Sequence, residues 1–155
     1  MNIIVVRTDG TFYTRPDTTL SRVPRDFYVP DDISQITAAT CTYVNIIKAG
    51  KAVPERFVYR YFDAVGKGIL FYCDGLPHID WCSYFFQNTT PASYILPEQM
   101  RCISKEIERI TRHISVRFGD IVAFENSGPM EFRRGDTVNL YPSAEGEDSL
   151  AFRIF

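Results

Sequence analysis

The sequence lacks most of the patterns that announce chemistry. It has no C-x-x-C pair: its four cysteines stand at 41, 73, 82 and 102, and its two histidines at 78 and 113. A zinc site has too few well-spaced ligands. Cys41, Cys73 and Cys102 lie in apolar surroundings and read as reduced core thiols. There is no basic run either. RRGD at 133–136 is the only adjacent Arg pair, it reads as a turn, and a net charge of −2 gives no field for nucleic acid. No apolar run approaches a membrane span. MNIIVVRTDG has five apolar residues before Arg7, too short for a signal-peptide core and without a leading positive charge. These absences predict a soluble, cytoplasmic protein with neither nucleic acid nor membrane among its partners.

Isolated catalytic patterns are missing too. GKGILF precedes a strand, the wrong context for a phosphate-cradling loop. His78 and Cys82 are four apart, with Asp80 and Trp81 between them and no base-orienting pattern. The carboxylate clusters Asp31/Asp32 and Glu145/Glu147/Asp148 lie in turn-like stretches and read as solvated loops.

What is present is a chain of 155 residues, 45% apolar and 23% charged, long enough to bury one core without disulfides or a metal. Aromatics are plentiful, with nine Tyr and twelve Phe. IIVV (3–6) reads as a buried strand, Asp9-Gly10 as a turn, and Phe12 to Thr14 as a strand halted by Pro16, with Asp17 placed to cap a turn. DFYVPDD, flanked by Pro24 and holding Pro30, reads as an extended piece confined to a sheet edge or a loop. Residues 36–48 form the longest strand candidate. Phe57, Tyr61, Phe62 and Val65 predict a helix from Pro54 that ends at Gly66 and Gly68. Residues 69–73 follow as a strand with an Asp74-Gly75 turn. Residues 76–95 read as irregular, anchored by Trp81, Tyr84, Phe85 and Phe86. Pro97 opens the clearest helix, with the stripe Ile103, Ile107, Ile110 and Ile114. FGDIVAF, RGDTVNL and SLAFRIF are strands, the first two after Gly-Asp turns sixteen residues apart. The fold class is mainly β with α (α+β).

The order of these segments resembles the fumarylacetoacetate hydrolase family. FYTRPDTTL is similar to that family's Lys-Pro-Asp segment, with Arg15 in the Lys place. FYVPDD resembles the piece before its first metal-ligand strand, and ITAATCTYVNIIKAGK (36–51) that strand itself. ERFVYRYFDAVGKGILF resembles the next helix and second ligand strand. IERITRHISVRFGDIVAF and FRRGDTVNL resemble the closing helix and its Gly-Asp strands. The family's early segment, a mobile lid with a catalytic His and an acidic partner, has no match. The resemblance implies one domain over residues 1–155, without that lid, built as a mixed β-roll or sandwich with two helices packed on it.

The resemblance also implies what is gone. The family holds Mg²⁺ or Mn²⁺ through a Glu-x-Glu, matched here by Ala39 and Cys41, and an Asp, matched by Leu70. Its catalytic Lys falls near Tyr84, and its Gly-Thr-Pro turn becomes ENSGP, residues 125–129. A hard dication needs anionic oxygens, which Ala and Leu lack, and a thiol is too soft. The expectation is therefore no metal, no cofactor, and a non-catalytic homologue. It would act as a structural or regulatory subunit, as a homodimer or in a hetero-oligomer with an active paralogue. Leu70, Tyr84 and Phe86 would fill the emptied pocket. A divergent hydrolase or decarboxylase on a β-diketo or oxo-dicarboxylic acid is the alternative, drawing acids from Asp17, Asp74 or Glu125. A small anionic-ligand binding module, using Arg15 and Tyr84, is the third reading.

Overall fold

The computed structural model describes residues 1–23, 26–73, 76, 78–140 and 152–155. Pro24, the Asp74-Gly75 turn, Asp74 as a candidate acid, the cluster Glu145/Glu147/Asp148 and the start of SLAFRIF lie outside them. Among the described residues ten strands run in chain order: β1 Asn2–Val6, β2 Phe12–Pro16, β3 Leu20–Ser21, β4 Ile36–Asn45, β5 Ala64–Cys73, β6 Ser83–Pro91, β7 Ile121–Glu125, β8 Met130–Phe132, β9 Thr137–Val138 and β10 Phe152–Arg153. One α-helix, α1, spans Pro97–Thr111, and a 3-10 helix covers Glu55–Arg60.

Eight strands form one mixed sheet in the order β2-β1-β7-β4-β5-β6-β3, with β8 against the first half of β4. Ile3, Ile4, Val5 and Val6 are all buried because β1 is interior: it pairs antiparallel with β2 and parallel with β7. A strand covered on both faces reads as an unbroken apolar run. Successive residues of β4 alternate faces. Ile36, Ala38 and Val44 point to the outer face. There α1, through Ile103, Ile107 and Ile110, packs beside Val58, Phe62 and Val65 at one end. Phe27, Val29, Val138, Phe152 and Ile154 cover the other end. Cys41 and Tyr43 point inward with Ile3, Val5, Leu70, Phe85, Ile121 and Ala123.

Two segments differ from the sequence-based expectation. The residues after Pro54 make only the 3-10 helix, and β5 begins at Ala64, so Gly66 and Gly68 lie within a strand. The β5–β6 register shifts between these glycines. A Cβ on Gly68 would lie 2.5 Å from Phe85 and 2.6 Å from the Tyr84 carbonyl, so the close strand approach requires glycine. Residues 83–91, expected to be irregular, form β6, whose backbone pairs with β5 although Gln87 to Pro91 are exposed. Trp81, expected as an anchor, is 41% exposed at φ 63°.

The paired Gly-Asp turns are copies of one device. Asp120 Oδ2 accepts the Arg117 amide at 2.8 Å and Asp136 Oδ2 accepts the Arg133 amide at 2.8 Å. Gly119 and Gly135 carry φ of 87° and 89°, the left-handed region. Asp17, by contrast, makes no side-chain cap. Thr19 Oγ1 donates to the Pro16 carbonyl instead, at 2.8 Å.

Candidate functional site

The β4–β5 register sets Ala39 opposite Leu70 and Cys41 opposite Gly68, so Ala39, Cys41 and Leu70 share the inner face. All three are at most 2% exposed. Ser83, opposite Leu70, and Glu125, opposite Cys41, join them. Tyr84 does not. It is opposite Ile69 and packs outward, edge-on to Phe86 and Phe152. Within the interior, Leu70 and Phe85 are the fillers, while Tyr84 and Phe86 lie on the other side of the sheet. Asp17 is exposed at the start of the turn after β2.

The centre of this interior is a guanidinium. Arg15, on an edge strand of the sheet, is 0% exposed. It crosses the roll to β5 and β6, near the opposite edge. Nε and Nη2 donate to the Tyr13 hydroxyl at 3.0 and 2.7 Å. Nη2 also donates to the Phe71 carbonyl at 2.8 Å. Nη1 donates to the Cys82 carbonyl at 3.0 Å and to Ser83 Oγ at 2.9 Å, with Cys82 Sγ at 3.1 Å. The five N–H donors of an arginine are thereby matched, all by neutral groups.

A carboxylate joins the network through Tyr72: Glu125, whose side chain is 1% exposed. Its Oε1 accepts Thr8 Oγ1 at 3.0 Å and the Thr8 amide at 3.3 Å; its Oε2 accepts the Tyr72 hydroxyl. Arg7 Nε lies 3.5 Å from Oε2. The Tyr72 ring sits against both cations, 4.5 Å from Arg7 and 5.1 Å from Arg15. Burial, then the hydroxyl's bond to Glu125, pushes the Tyr72 phenol well above its ordinary range. Burial also drives the Cys41 thiol upward, against the opposing pull of Arg15. Beside Arg7 and Tyr72 an open cleft of about 330 Å³ is lined further by Gln35, Thr37, Cys73, Pro129 and Glu131. Arg15 and Glu125 were legible as candidates in the sequence; Tyr72, which links them, was not, since an aromatic in a strand reads as core.

These residues do not fit a divalent cation. Ala39 and Leu70 supply no donor, Cys41 is held as a neutral thiol, and the nearby guanidinium is itself positive. Among the described residues, no group of three His, Cys, Asp or Glu is placed to hold a metal. Nor, among them, is any helix long and apolar enough to cross a membrane.

No protein-family model and no curated protein matches the sequence. Solved structures do match the fold. A fumarylacetoacetate hydrolase family protein from Yersinia pestis superposes with TM-score 0.77 at 16% identity, over 99% of this chain and 92% of its own. Fumarylpyruvate hydrolase from Pseudomonas aeruginosa, in complex with Mn²⁺ and pyruvate, gives TM-score 0.76 at 12% identity, over 99% and 89%. Maleylpyruvate hydrolase from Sphingobium gives 0.73 at 15%, over 99% and 69%. The chain therefore has the fumarylacetoacetate hydrolase fold: a curled, mixed, mainly β sheet carrying helical segments on its outer face.

Proposed function

We propose that this chain is a non-catalytic protein of the fumarylacetoacetate hydrolase fold, serving as a structural or regulatory subunit. It would work as a homodimer or beside an active paralogue in the cytoplasm, without a metal cofactor. One observation carries the reading: the inner face, at the positions matched to the metal ligands, holds Ala39, Cys41 and Leu70 around an Arg15 whose donors are all spent on the protein itself. Such a face offers a substrate neither an electrophile nor a free donor. Protein purified with Mg²⁺ and Mn²⁺ present should carry no stoichiometric metal and should not cleave acylpyruvates. A same-fold partner or a second copy should be recovered from its host. Bound metal with turnover overturns the reading, and recovery as a lone monomer removes its subunit half.

The second reading is a divergent hydrolase or decarboxylase acting on a β-diketo or oxo-dicarboxylic acid. The structural comparisons favour it over the first: the neighbours include maleylpyruvate and fumarylpyruvate hydrolases and a 2-hydroxyhepta-2,4-diene-1,7-dioate isomerase. Its chemistry would have to be rebuilt at Glu125, Tyr72 and Arg7, beside the cleft. Turnover of an acylpyruvate by the metal-stripped protein, abolished in Glu125→Gln, is the result that selects it. A ligand module built jointly on Arg15 and Tyr84 is disfavoured by their places on opposite faces.

A further inference from the structure

We propose that the outer cleft between the 3-10 helix Glu55–Arg60 and α1 binds a small phosphate monoester. Arg56 and Arg101 hold its dianion, and Tyr59 and Met100 hold its organic body. None of these residues belongs to the interior of the roll, so the site goes beyond both readings above and is independent of either.

The cleft measures about 430 Å³, the size of a small organic ligand. Its two walls are fixed, because Val58 of the 3-10 helix packs with Ile103 and Ile107 of α1. Each wall contributes one guanidinium, Arg56 from the 3-10 helix and Arg101 from α1. Among the described residues the arginines in ion pairs are Arg7, Arg109, Arg112 and Arg134, so neither cleft arginine has a carboxylate partner. The Arg56 guanidinium rests on the Phe57 ring, 4.8 Å from its centre, a contact of its face that leaves its N–H edge for an acceptor. The buried side of the cleft adds a hydroxyl. Ser104 is only 6% exposed and lines the cleft, yet its side chain makes no hydrogen bond among the described residues. Every fully enclosed side-chain N or O among them does have a partner, so this hydroxyl is reached from the cleft. A serine within a helix ordinarily turns back to the carbonyl four residues earlier; this one does not. Pro97 lines the same cleft and brings the positive end of α1 to it. Tyr59 supplies a flat apolar wall, held in place by Arg60, whose Nε donates to its hydroxyl at 3.0 Å. Met100 beside it is an adaptable apolar contact. The charge selects the ligand class. Two cations face one carboxylate, Glu55, and a phosphate monoester has the oxygens and the double charge to meet two arginine forks and a hydroxyl together. A single carboxylate meets one fork.

The test titrates phenyl phosphate, inorganic phosphate and benzoate against the full chain at low salt. Calorimetry reads the affinity, and the rise in melting temperature is the second measure. The expected result is saturable binding of phenyl phosphate, tighter than that of either fragment. Arg56→Gln and Arg101→Gln should each weaken it about tenfold, the usual effect of removing a hydrogen bond to a charged group. Ser104→Ala should weaken it less, and Glu55→Gln should tighten it by removing the opposing charge. Both cleft arginines are exposed, so their replacement leaves the core intact. Arg112→Gln, at an arginine paired with Glu108 at 3.0 Å, is the control and should bind as the parent does. No saturation by phenyl phosphate up to about 10 mM overturns the proposal. So does an equal loss in Arg112→Gln, which marks unspecific attraction to positive charge. Inorganic phosphate or benzoate bound as tightly as phenyl phosphate refutes the pairing of a dianion pocket with an apolar wall.

Discussion

Tyr72 and Glu125, 53 residues apart, are joined by a hydrogen bond from the phenol to Oε2, and the same carboxylate lies 3.5 Å from the Arg7 guanidinium. Glu125 thus pairs with the partly exposed Arg7 and is linked to the buried Arg15 only through Tyr72. Glu125→Gln keeps the shape and removes the charge. It should cost about 2–3 kcal/mol, the worth of buried hydrogen bonds to an ionised group. Urea unfolding followed by circular dichroism measures it; a loss below half a kcal/mol would show that the carboxylate is not compensating Arg7.

Alkali should weaken the fold through Tyr72. Burial and its bond to Glu125 raise the phenol above its ordinary 10.0, so the folded chain holds that proton more tightly than the unfolded chain does. The stability this provides is whole below pH 10 and is lost as pH climbs beyond, because the unfolded chain ionises first. Tyr13 and Tyr43 are raised in the same direction, chiefly by burial. Melting temperature should fall above pH 10, and more gently in Tyr72→Phe. A Tyr72→Phe profile as steep as the parent's would assign the effect to other groups.

Gly68→Ala tests the bulge in β5. The added methyl meets the Phe85 ring at 2.5 Å, the Tyr84 carbonyl at 2.6 Å and Cys41 Sγ at 3.0 Å. A backbone atom cannot swing aside, so β6 must shift. The expected loss is about 1–3 kcal/mol by thermal melting. Gly128→Ala, where nothing lies within 4 Å of the added methyl, is the control and should be near neutral.

Thiol labelling should separate the cysteines. Cys102, expected from the sequence in the core, is exposed on α1, while Cys41, Cys73 and Cys82 are buried. Burial also pushes the Cys73 thiol up to about 11, so little reactive thiolate is present there near neutral pH. Native protein at pH 8 should release one fast equivalent from an aromatic disulfide reagent, and all four in denaturant. Two or more fast equivalents would mean that the interior opens.

Much of the fold was legible because local chemistry agreed with the tertiary outcome. Asp9-Gly10 and the twin Gly-Asp turns fall where side chain and left-handed backbone demand them, and the isoleucine stripe of α1 faces the core. What misled was a helical spacing ending in strand residues. Phe62 and Val65 reach one core together, but Val65 does so from β5, where Gly66 and Gly68 serve close packing rather than helix termination. β6 escaped notice because Gln87 to Thr90 gain their strand geometry from backbone pairing, which leaves no apolar alternation. At the site, the three acid-free positions do converge on one face. The decisive feature, Arg15 turned inward with every donor matched, depends on contacts 56 to 68 residues away, beyond any local pattern.

The interior position of β1 bears on how the chain reaches this state. Its inner neighbour, β7, begins at Ile121, and the Asn2 amide bonds Asp120 across 118 residues. During synthesis the β1–β2 hairpin emerges before β7 and then waits, one edge of β1 bare, until Ile121 to Phe124 have followed. The sheet cannot nucleate from its own beginning. Its assembly should be slow and sensitive to whatever shields that hairpin meanwhile, a kinetic demand set by topology and independent of any chemistry in the interior.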